Sequence, residues 1–482
     1  MPAQCHSPAP LRSLLRLSGS SGSSGSSDSR FQPAAPGLAL TLVLSLGFAS
    51  GVHAQSLQEV YEAARSYDAT YLSARALLES AQYRLAQARG LRLPTLGLQI
   101  SRQRAYSDTP AAATRDSRSL QTGATLNGSQ PLFNRTNDVT IAQTEKGVDI
   151  STAEFDIADQ DLILRVAQAY FDVLTAQDTL ASARGNLAAI AEQVASAKRN
   201  FEVGTATITD TREAQARFDL ARATQIVAEN DLLTRRIALD TLVGRSNVTP
   251  NPLAVPVAVP AIAPTNVEDW LTRADTEHPL VRRARLVLDV ARLETDKAKA
   301  GHLPNVALTA SYGMAHATIN GTAVQSGFPN GGSFSQSGNN IAANVGVLVN
   351  VPLFAGYQVE NRVKETLVLE TKSQNDLEAQ RRGVAQGTRT AFYGVSSGAA
   401  QVRALEAAES SSQLALAATQ LGYQVGVRVN LDVLNAQAQL FTTQAQLAKA
   451  RYDVVLAGLR LRQASGRITP EDVAAASLLL KP

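Results

Sequence analysis

Apolar residues recur along the chain with two periods, and one of them marks long helices. Residues 57–89 contain many helix formers and few breakers, so we expect one helix that stops at Gly90, with Pro94 just beyond. Residues 134–202 hold no proline and only two glycines, which predicts a helix of about 100 Å at 1.5 Å per residue. Residues 355–424 predict a second helix of this kind.

The other period is two, in two pairs of segments where apolar residues alternate with small or polar ones. The first pair is 95–101 and 120–127, and the second is 306–314 and 341–349. Strands of about ten residues with one apolar face suit a transmembrane barrel with a wet lumen, and they suit a soluble half-buried sheet equally well. The Gly, Ser and Asn-rich interval 317–340 is expected to be a loop.

After each long helix a short turn leads into a returning helix of about 35–40 residues, typical of a coiled-coil hairpin. The first returning helix has a heptad seam with 4-3-4-3 spacing. Its members are Ala214, Phe218, Ala221, Gln225, Ala228, Leu232, Arg235, Leu239 and Leu242. Helices of this length fit a coiled-coil tube that projects far from a membrane better than they fit one globular core.

The chain contains one unit twice. "FEVGTATITD" at 201–210 matches "YQVGVRVNLD" at 423–432 with an offset of 222 residues. "RLPTLGLQIS" at 92–101 matches "HLPNVALTAS" at 302–311 with an offset of 210, so the second copy carries an insertion. We therefore predict a signal peptide at 1–54, a first repeat at 55–250, a Pro-rich extended linker at 251–265 and a second repeat at 266–482.

The N-terminus has the features of an export signal with an unusually long first region. An apolar core at 37–50 follows Arg30, and "VHA" places small residues before a cleavage site after Ala54. The only cysteine, Cys5, lies in the part that would be removed. The exported protein is then expected to contain no disulfide.

Charge and hydropathy restrict the remaining classes. The net charge is +3 without a basic face, which argues against a nucleic-acid binder. The predicted mature chain has no apolar run of 18 residues, so only a closed β-barrel could carry it through a bilayer. A barrel needs about eight strands, and the four predicted here are too few. Either the sheet is open or several chains pool their strands.

The two turns between paired helices carry the candidate functional residues. Gly204 and Gly426 supply the positive φ that a helix end often needs. Asp210 and Asp432 open the next helices, where a carboxylate satisfies free amides and suits the helix dipole. If copies of the chain surround an axis, each of these aspartates also becomes a ring of like charges, which selects for cations.

The motifs in combination resemble the TolC family of outer-membrane efflux ducts over about residues 56–475. They are the two strand starts, "PLF" at Pro131 and Pro352, "AYF" from Ala169, "VGxxxxxD" twice, and "ARYDVVLAGLRLRQASG" at 450–466. The resemblance implies an α+β membrane protein in which three copies form a 12-stranded outer-membrane β-barrel and a 12-helix periplasmic α-barrel of coiled coils. It implies a passive exit duct for efflux or type I secretion, in the outer membrane of a Gram-negative bacterium.

The resemblance also implies partners and site residues. The partners are a periplasmic adaptor, an inner-membrane transporter of ABC or RND type, and outer-membrane lipid, with no cofactor. Asn435 stands where the family's type member has a second aspartate, so weaker cation preference is expected. The implied residues are Asp210, Asp432 and Asn435 at the constriction, Tyr423 and Arg428 with Thr209 and Asp210 in a latch between neighbouring hairpins, and Val203, Gly204, Val425 and Gly426 in contact with the adaptor.

The sequence leaves two alternative functions beside the duct. The first is a soluble periplasmic coiled-coil scaffold, which would keep the helices and lose the membrane role. The second is an enzyme, since "GVSSG" at 394–398 matches a nucleophile elbow, but that motif requires a strand before it and here falls in a long helix. His278, His302 and His316 lack metal-ligand spacing, and Trp270 is expected to be a packing residue.

Overall fold

The computed structural model describes residues 55–108, 114–254, 263–323 and 332–480. The predicted signal peptide lies outside the described residues, as does most of the predicted linker. The helices are α1 Leu57–Tyr67, α2 Ala69–Arg89, α3 Arg135–Glu202, α4 Ile208–Val243, α5 Val267–Glu277, α6 Pro279–Ala300, α7 Gln358–Gln424, α8 Asn430–Ala464 and α9 Pro470–Ser477. The strands are β1 Thr95–Asp108, β2 Thr114–Phe133, β3 Asn305–Ala323 and β4 Gly332–Asn350.

The order of elements confirms an α+β fold with an internal duplication. The series α1, α2, β1, β2, α3, α4 recurs as α5, α6, β3, β4, α7, α8. The long helices have 68 and 67 residues, and the returning helices have 36 and 35. We call α3–α4 the first hairpin and α7–α8 the second hairpin. Among the described helices, none is both long enough and apolar enough to cross a membrane.

The prediction of one helix over 57–89 is wrong, because the helix breaks at Asp68. The Asp68 carboxylate accepts a hydrogen bond from the Tyr71 amide at 2.7 Å and so begins α2 as its N-cap. Arg165 of α3 pairs with the same carboxylate at 2.9 Å, and this hydrogen bond lowers the pKa of Asp68. From the sequence alone, an aspartate among helix formers is expected to be a surface residue of the helix, because its partner Arg165 is distant in the chain.

The second repeat breaks at the corresponding place, where His278 separates α5 from α6. The His278 Nδ1 accepts a hydrogen bond from the Leu280 amide at 3.1 Å, and Pro279 follows as the first helical residue. Burial lowers the pKa of His278 to about 4, so the imidazole is neutral near pH 7. The break in both copies therefore comes from a side-chain cap, an acid in one and a neutral histidine in the other.

The four strands form one antiparallel sheet in the order β1-β2-β3-β4, which leaves β1 and β4 as its edges. The register places Leu126 beside both Leu98 and Tyr312, and Tyr312 beside Ala343. Apolar positions of all four strands therefore share one face of the sheet, as the alternation predicted. Within the single chain, neither edge strand has a second neighbour.

The strands are longer than the ten residues predicted, and the predicted loop at 317–340 is wrong wherever the structure describes it. The strands have 14, 20, 19 and 19 residues. Ala317 pairs with Gly338, and the ladder continues to Ala323 opposite Gly332; residues 324–331 are not described. The cause is that apolar alternation ends before residue 317, while backbone pairing needs no apolar side chains and continues through the polar stretch.

The main buried cluster lies where α1, α3, α4, α8 and α9 meet. Tyr170 of α3 is fully buried there; its hydroxyl donates to the Gln55 carbonyl at 2.9 Å and accepts from the Asn251 amide at 2.7 Å. Phe171 packs against Tyr170 and against Tyr452 of α8, with ring centroids 5.7 and 5.9 Å apart. This cluster fixes the start of the first repeat and the start of the linker to the same point on α3.

The helical pairings follow the predicted patterns. The seam positions of α4 are buried or half-buried, except Arg235, whose exposed guanidinium pairs with Asp172 of α3 at 3.1 Å. Trp270 is buried and its indole donates to the Pro264 carbonyl at 2.9 Å, which confirms a packing role. Residues 394–398 lie inside α7, so "GVSSG" is not on a strand-to-helix elbow.

Candidate functional site

Two turns at the ends of the hairpins carry the candidate residues, and both have the same backbone closure. After α3, the amides of Thr205 and Ala206 donate to the Asn200 carbonyl at 2.8 and 3.2 Å. After α7, the amides of Val427 and Arg428 donate to the Gly422 carbonyl at 2.9 and 3.1 Å. We call residues 203–207 the first turn and residues 425–429 the second turn.

Glycine is required in both turns, because Gly204 has φ +77° and Gly426 has φ +82°. The valines before them are exposed, Val203 by 72% and Val425 by 65%. The four residues predicted to contact an adaptor therefore lie at the surface of the two turns. Their role in such a contact stays a prediction.

The first turn uses its aspartate to cap a helix. Thr207 is the N-cap of α4, and its hydroxyl accepts from the Asp210 amide at 3.2 Å. The Asp210 carboxylate accepts in return from the Thr207 amide at 2.9 Å and from the Thr207 hydroxyl at 2.8 Å. This reciprocal capping box satisfies free donors at the helix start, so the charge of Asp210 is committed to the fold.

The second turn lacks that cap. Val429 occupies the position of Thr207 and offers no side-chain oxygen, so α8 begins without a side-chain cap. The Asp432 carboxylate pairs instead with the Arg428 guanidinium at 3.5 Å, and 61% of the Arg428 side chain is exposed. An exposed ion pair of this kind contributes only about 0–1 kcal/mol. Unlike Asp210, Asp432 is therefore not held in a capping box, and its role toward ions stays a prediction.

Asp432 also stands in a region that contains few other charges. Over residues 410–448, the part of the second hairpin nearest the turn, only Arg428 and Asp432 are charged. No other ionised side chain of that hairpin competes with them near the turn. The electrostatic field at the second turn therefore depends on these two residues and on what the first hairpin presents to them.

Two hydrogen bonds join the hairpins near the turns, and we call them the cross-hairpin bonds. The side-chain amide of Asn200 on α3 donates to the Tyr423 hydroxyl of α7 at 3.2 Å. The Arg217 guanidinium of α4 donates to the Asn435 side-chain oxygen of α8 at 3.2 Å. Leu434 of α8 supplies the apolar contact next to them. It packs in a cluster with Ile190, Val194, Ala197, Ala214 and Ala221 of the first hairpin.

The interface around Leu434 includes polar side chains without partners. Asn430 and Gln437 lie on the same face of α8 as Leu434 and are 4% and 5% exposed. Among the described residues, neither side-chain oxygen has a hydrogen-bond donor. A buried group left unsatisfied costs about 1–3 kcal/mol. These two unsatisfied oxygens weaken the contact between the hairpins near the turns.

The structure places the predicted latch residues differently within one chain. Tyr423 contacts Asn200, and Arg428 contacts Asp432. Thr209 is exposed and makes no side-chain hydrogen bond among the described residues. The predicted pairing of Tyr423 and Arg428 with Thr209 and Asp210 on the neighbouring hairpin is not seen within this chain, and a latch between hairpins of adjacent copies stays a prediction.

Sequence reasoning missed Arg217 and Asn200. Arg217 lies seven residues after Asp210, one heptad along α4, and that spacing could have placed it on the same side as the capping aspartate. Its partner Asn435 was predicted only as a constriction residue. Neither pattern shows that two residues 218 positions apart come into contact.

The comparisons with known proteins cover most of the chain. The family model described as "outer membrane efflux protein" matches residues 60–245 and 270–467. The outer membrane protein TolC of Vibrio cholerae serotype O1 is 32% identical over 437 residues, which covers 90% of this chain and 96% of that protein. The alkaline protease secretion protein AprF of Pseudomonas aeruginosa is 33% identical over 402 residues, covering 81% and 80%.

Solved structures agree at the level of the fold. The outer membrane protein VceC of Vibrio cholerae is similar with a TM-score of 0.69 at 19% identity, covering 85% of this chain and 96% of that one. The outer-membrane channel OprN is similar with a TM-score of 0.72 at 18% identity, covering 86% and 90%. The two segments matched by the family model fall one in each predicted repeat. The chain belongs to the family of outer membrane efflux proteins, which confirms the resemblance to TolC.

Proposed function

We propose that this protein is the outer-membrane exit duct of an export machine, and that it conducts substrates passively from the periplasmic side to the outside. It performs no chemistry of its own. The observation that carries the proposal is the sheet, which has an exposed apolar face and two edges without neighbours. On that face Leu96, Ile100 and Val345 are 74%, 73% and 79% exposed in the single chain.

Such a sheet is incomplete as it stands. In hydrocarbon every backbone donor and acceptor needs a partner, so the edges β1 and β4 must be paired. Four strands are too few to close a cylinder, and about eight are the minimum. Three copies supply twelve strands and pair β1 of one chain with β4 of the next. The strand count therefore requires more than one chain, and we propose a homotrimer because the resemblance to the TolC family implies three copies.

The opposite face of the sheet supports a water-filled interior. The residues that lie between the apolar ones along a strand point to this opposite face. On β1 they are small or polar, namely Gly97, Gln99 and Ser101. Gly313 of β3 and Gly346 of β4 lie on that same face by the register. A small, polar inner face is what an aqueous channel through a transmembrane sheet requires.

The two hairpins supply the periplasmic part. Each chain has four long helices, α3, α4, α7 and α8, so three chains supply twelve. At 1.5 Å per residue, α3 alone extends about 100 Å. We propose that these helices form the tube across the periplasm, with the first and second turns at its far mouth. We also propose residues 55–250 and 266–482 as the repeats, and 251–265 as their linker.

At that mouth, three copies would bring together the residues named above. We propose Asp210, Asp432 and Asn435 as the constriction, with Asp432 as the main source of negative charge. We propose that Thr209, Tyr423 and Arg428 form the latch between chains. Val203, Gly204, Val425 and Gly426 would then meet a periplasmic adaptor, which connects the duct to an inner-membrane transporter of ABC or RND type.

The cargo class stays broad. AprF is named for protease secretion, and the family model for efflux. We propose that this chain serves one of these two routes, protein secretion or small-molecule efflux. Both routes use a passive conduit, so the mouth residues have the same part in either.

Cell fractionation with bilayer recording tests the duct against the soluble periplasmic scaffold. The duct is expected in the outer-membrane fraction, extracted only by detergent, and should form ion-conducting channels in planar bilayers. A scaffold would appear in the osmotic-shock fluid and leave the bilayer silent. That second result would refute the duct.

Replacing Asp432 by Ala is expected to lower cation selectivity several-fold, because a trimer loses three carboxylates that no other acid of the second hairpin tip replaces. The reversal potential in a salt gradient measures this. Asp219→Ala is the matched control, since it removes an exposed α4 carboxylate whose one hydrogen bond among the described residues comes from the Gln215 side chain. An unchanged reversal potential in Asp432→Ala would count against the charge ring.

A further inference from the structure

The apolar face of the sheet ends halfway along the strands. On β3 and β4 it runs from Val306 opposite Val349 to Met314 opposite Ile341. That distance is about 27 Å along the strand, or about 20 Å of height at the usual strand tilt, which is near the height of about 25 Å that lipid-facing apolar bands have. The next position on the same face carries Arg102 of β1 and His316 of β3, linked through Thr122 of β2. The boundary between hydrocarbon and polar headgroups is therefore expected between Ile100 and Arg102.

The strands continue well beyond this boundary. β3 extends to Ala323, and β4 begins at Gly332 opposite it. The helices join the strands at the other end of the sheet, where α2 precedes Thr95 by a short connection and α3 follows Phe133. With the helices in the periplasm, the polar halves of the strands lie on the outer side of the membrane.

Charged residues of the strands occur only beyond the boundary and only on the first strand pair. They lie at 102–108 on β1 and at 115–118 on β2, and the described parts of β3 and β4 contain no Asp, Glu, Lys or Arg. Arg102 and Arg104 have the parity of Leu98 and Ile100, so they lie on the lipid-facing side. Both are exposed, and neither has a hydrogen-bond or ion-pair partner in the described parts of the chain.

The charges further out are used differently. The Tyr106 hydroxyl donates to the Asp116 carboxylate at 3.2 Å, and the Arg118 guanidinium lies over the Tyr106 ring at 5.8 Å. Asp108 pairs in register with Asp116 at the outer end of β1. At the outer end of the first strand pair, acidic and basic side chains are both present and contact one another through Tyr106. Next to the boundary, Arg102 and Arg104 have no acidic partner among the described residues.

We propose that Arg102 and Arg104 form a binding surface for the phosphate groups of lipid A, the phosphorylated glycolipid of the outer leaflet. This inference rests on the proposed outer-membrane duct. A guanidinium binds phosphate with two parallel hydrogen bonds, and its position at the edge of the apolar band matches the depth of a headgroup phosphate. His316 and Asn339, bonded to each other at 2.7 Å, share a row of the sheet with Arg102 and would offer polar contacts to the sugars.

Binding of lipid A to the detergent-purified trimer, followed by native mass spectrometry, tests this surface. The probes are bisphosphorylated lipid A and the same lipid with both phosphates removed. The double variant Arg102→Gln with Arg104→Gln is expected to bind the bisphosphorylated form about thirtyfold more weakly, about fivefold for each basic residue. Arg102→Lys with Arg104→Lys keeps the charge but loses the paired hydrogen bonds of each guanidinium, so its affinity should lie between those of the unmodified protein and the glutamine variant.

The matched control is Arg75→Gln with Arg84→Gln, which removes two exposed guanidinium groups of α2 and should leave the affinity unchanged. Equal binding of both lipid forms by the unmodified protein would overturn the proposal, as would full affinity in the Arg102, Arg104 double variant. If phosphatidylglycerol displaces lipid A at equal concentration, the assignment to lipid A is wrong. Bilayer conductance, recorded separately, reports on the duct itself and should be unchanged in the double variant.

Discussion

Changing Tyr423 to Phe and Asn435 to Leu together is expected to raise the open fraction of the channel about thirtyfold. Each change removes one cross-hairpin bond with little change in side-chain volume. A hydrogen bond contributes about 1 kcal/mol net, so the two bonds of one chain hold its hairpins together by about 2 kcal/mol, a factor of about thirty for each chain that must move for the mouth to open. Single-channel recording in planar bilayers measures the result as longer and more frequent openings.

The same two chemical changes at neutral positions are the control. Tyr393→Phe with Asn375→Leu alters two exposed residues of α7 away from the turns, and neither side chain makes a hydrogen bond in the described structure. Recordings of this control should match those of the unmodified protein. If the Tyr423, Asn435 variant also matches it, the cross-hairpin bonds do not hold the mouth closed.

Arg428 separates the two ways in which the mouth could be held. Within one chain, the ion pair of Arg428 with Asp432 is exposed and weak. If this pair were the only contact of Arg428, Arg428→Ser should change the open fraction of the channel very little. In the proposed latch between chains, Arg428 would bind the neighbouring first hairpin. An increase in conductance that adds to the effect of Tyr423→Phe and Asn435→Leu would therefore come from contacts between chains.

Gly466→Ala is expected to destabilise the fold by about 3 kcal/mol or more per chain, because it combines strain with a backbone collision. Gly466 has φ +80°, and a Cβ placed there would lie 2.6 Å from the His278 Cα and 2.9 Å from its nitrogen. The carbonyl of Gly466 also accepts from the side-chain amide of Gln160 on α3 at 3.1 Å. The residue thus joins the end of α8 to the break between α5 and α6. Thermal unfolding followed by circular dichroism measures the loss.

Gly458→Ala, inside α8 and eight residues before Gly466, is the matched control. Nothing lies within 4 Å of a Cβ added there, and the residue has ordinary helical φ. Alanine is favoured over glycine inside a helix by about 1 kcal/mol, so this variant should be slightly more stable. Equal unfolding temperatures for Gly466→Ala and Gly458→Ala would show that the contact with His278 does not constrain the fold.

The long elements could be predicted from the sequence because their signals are continuous. The absence of proline over 134–202 and the heptad on α4 each extend over many residues, and both describe what the structure contains. The break at Asp68 was not visible, because it depends on Arg165 from a different helix. The outer halves of the strands were missed for a related reason, since their pairing is carried by the backbone and has no side-chain period.

The mouth shows a similar division. Both glycine turns and both aspartates could be located from the repeated decapeptide, and the alignment already places Val429 opposite Thr207. The loss of the N-cap in the second turn, which leaves Asp432 outside any capping box, could have been predicted from that pair. The contact of Arg217 with Asn435 could not, because it depends on how the two hairpins pack.

The native mass of the complex extracted from the outer membrane tests the central claim most directly. The unpaired edges of β1 and β4 predict a detergent-solubilised particle with more than one copy of the chain, and the proposed homotrimer predicts three. A protomer that stays folded and monomeric in water without detergent would contradict the account, because its sheet would have no need of neighbouring chains.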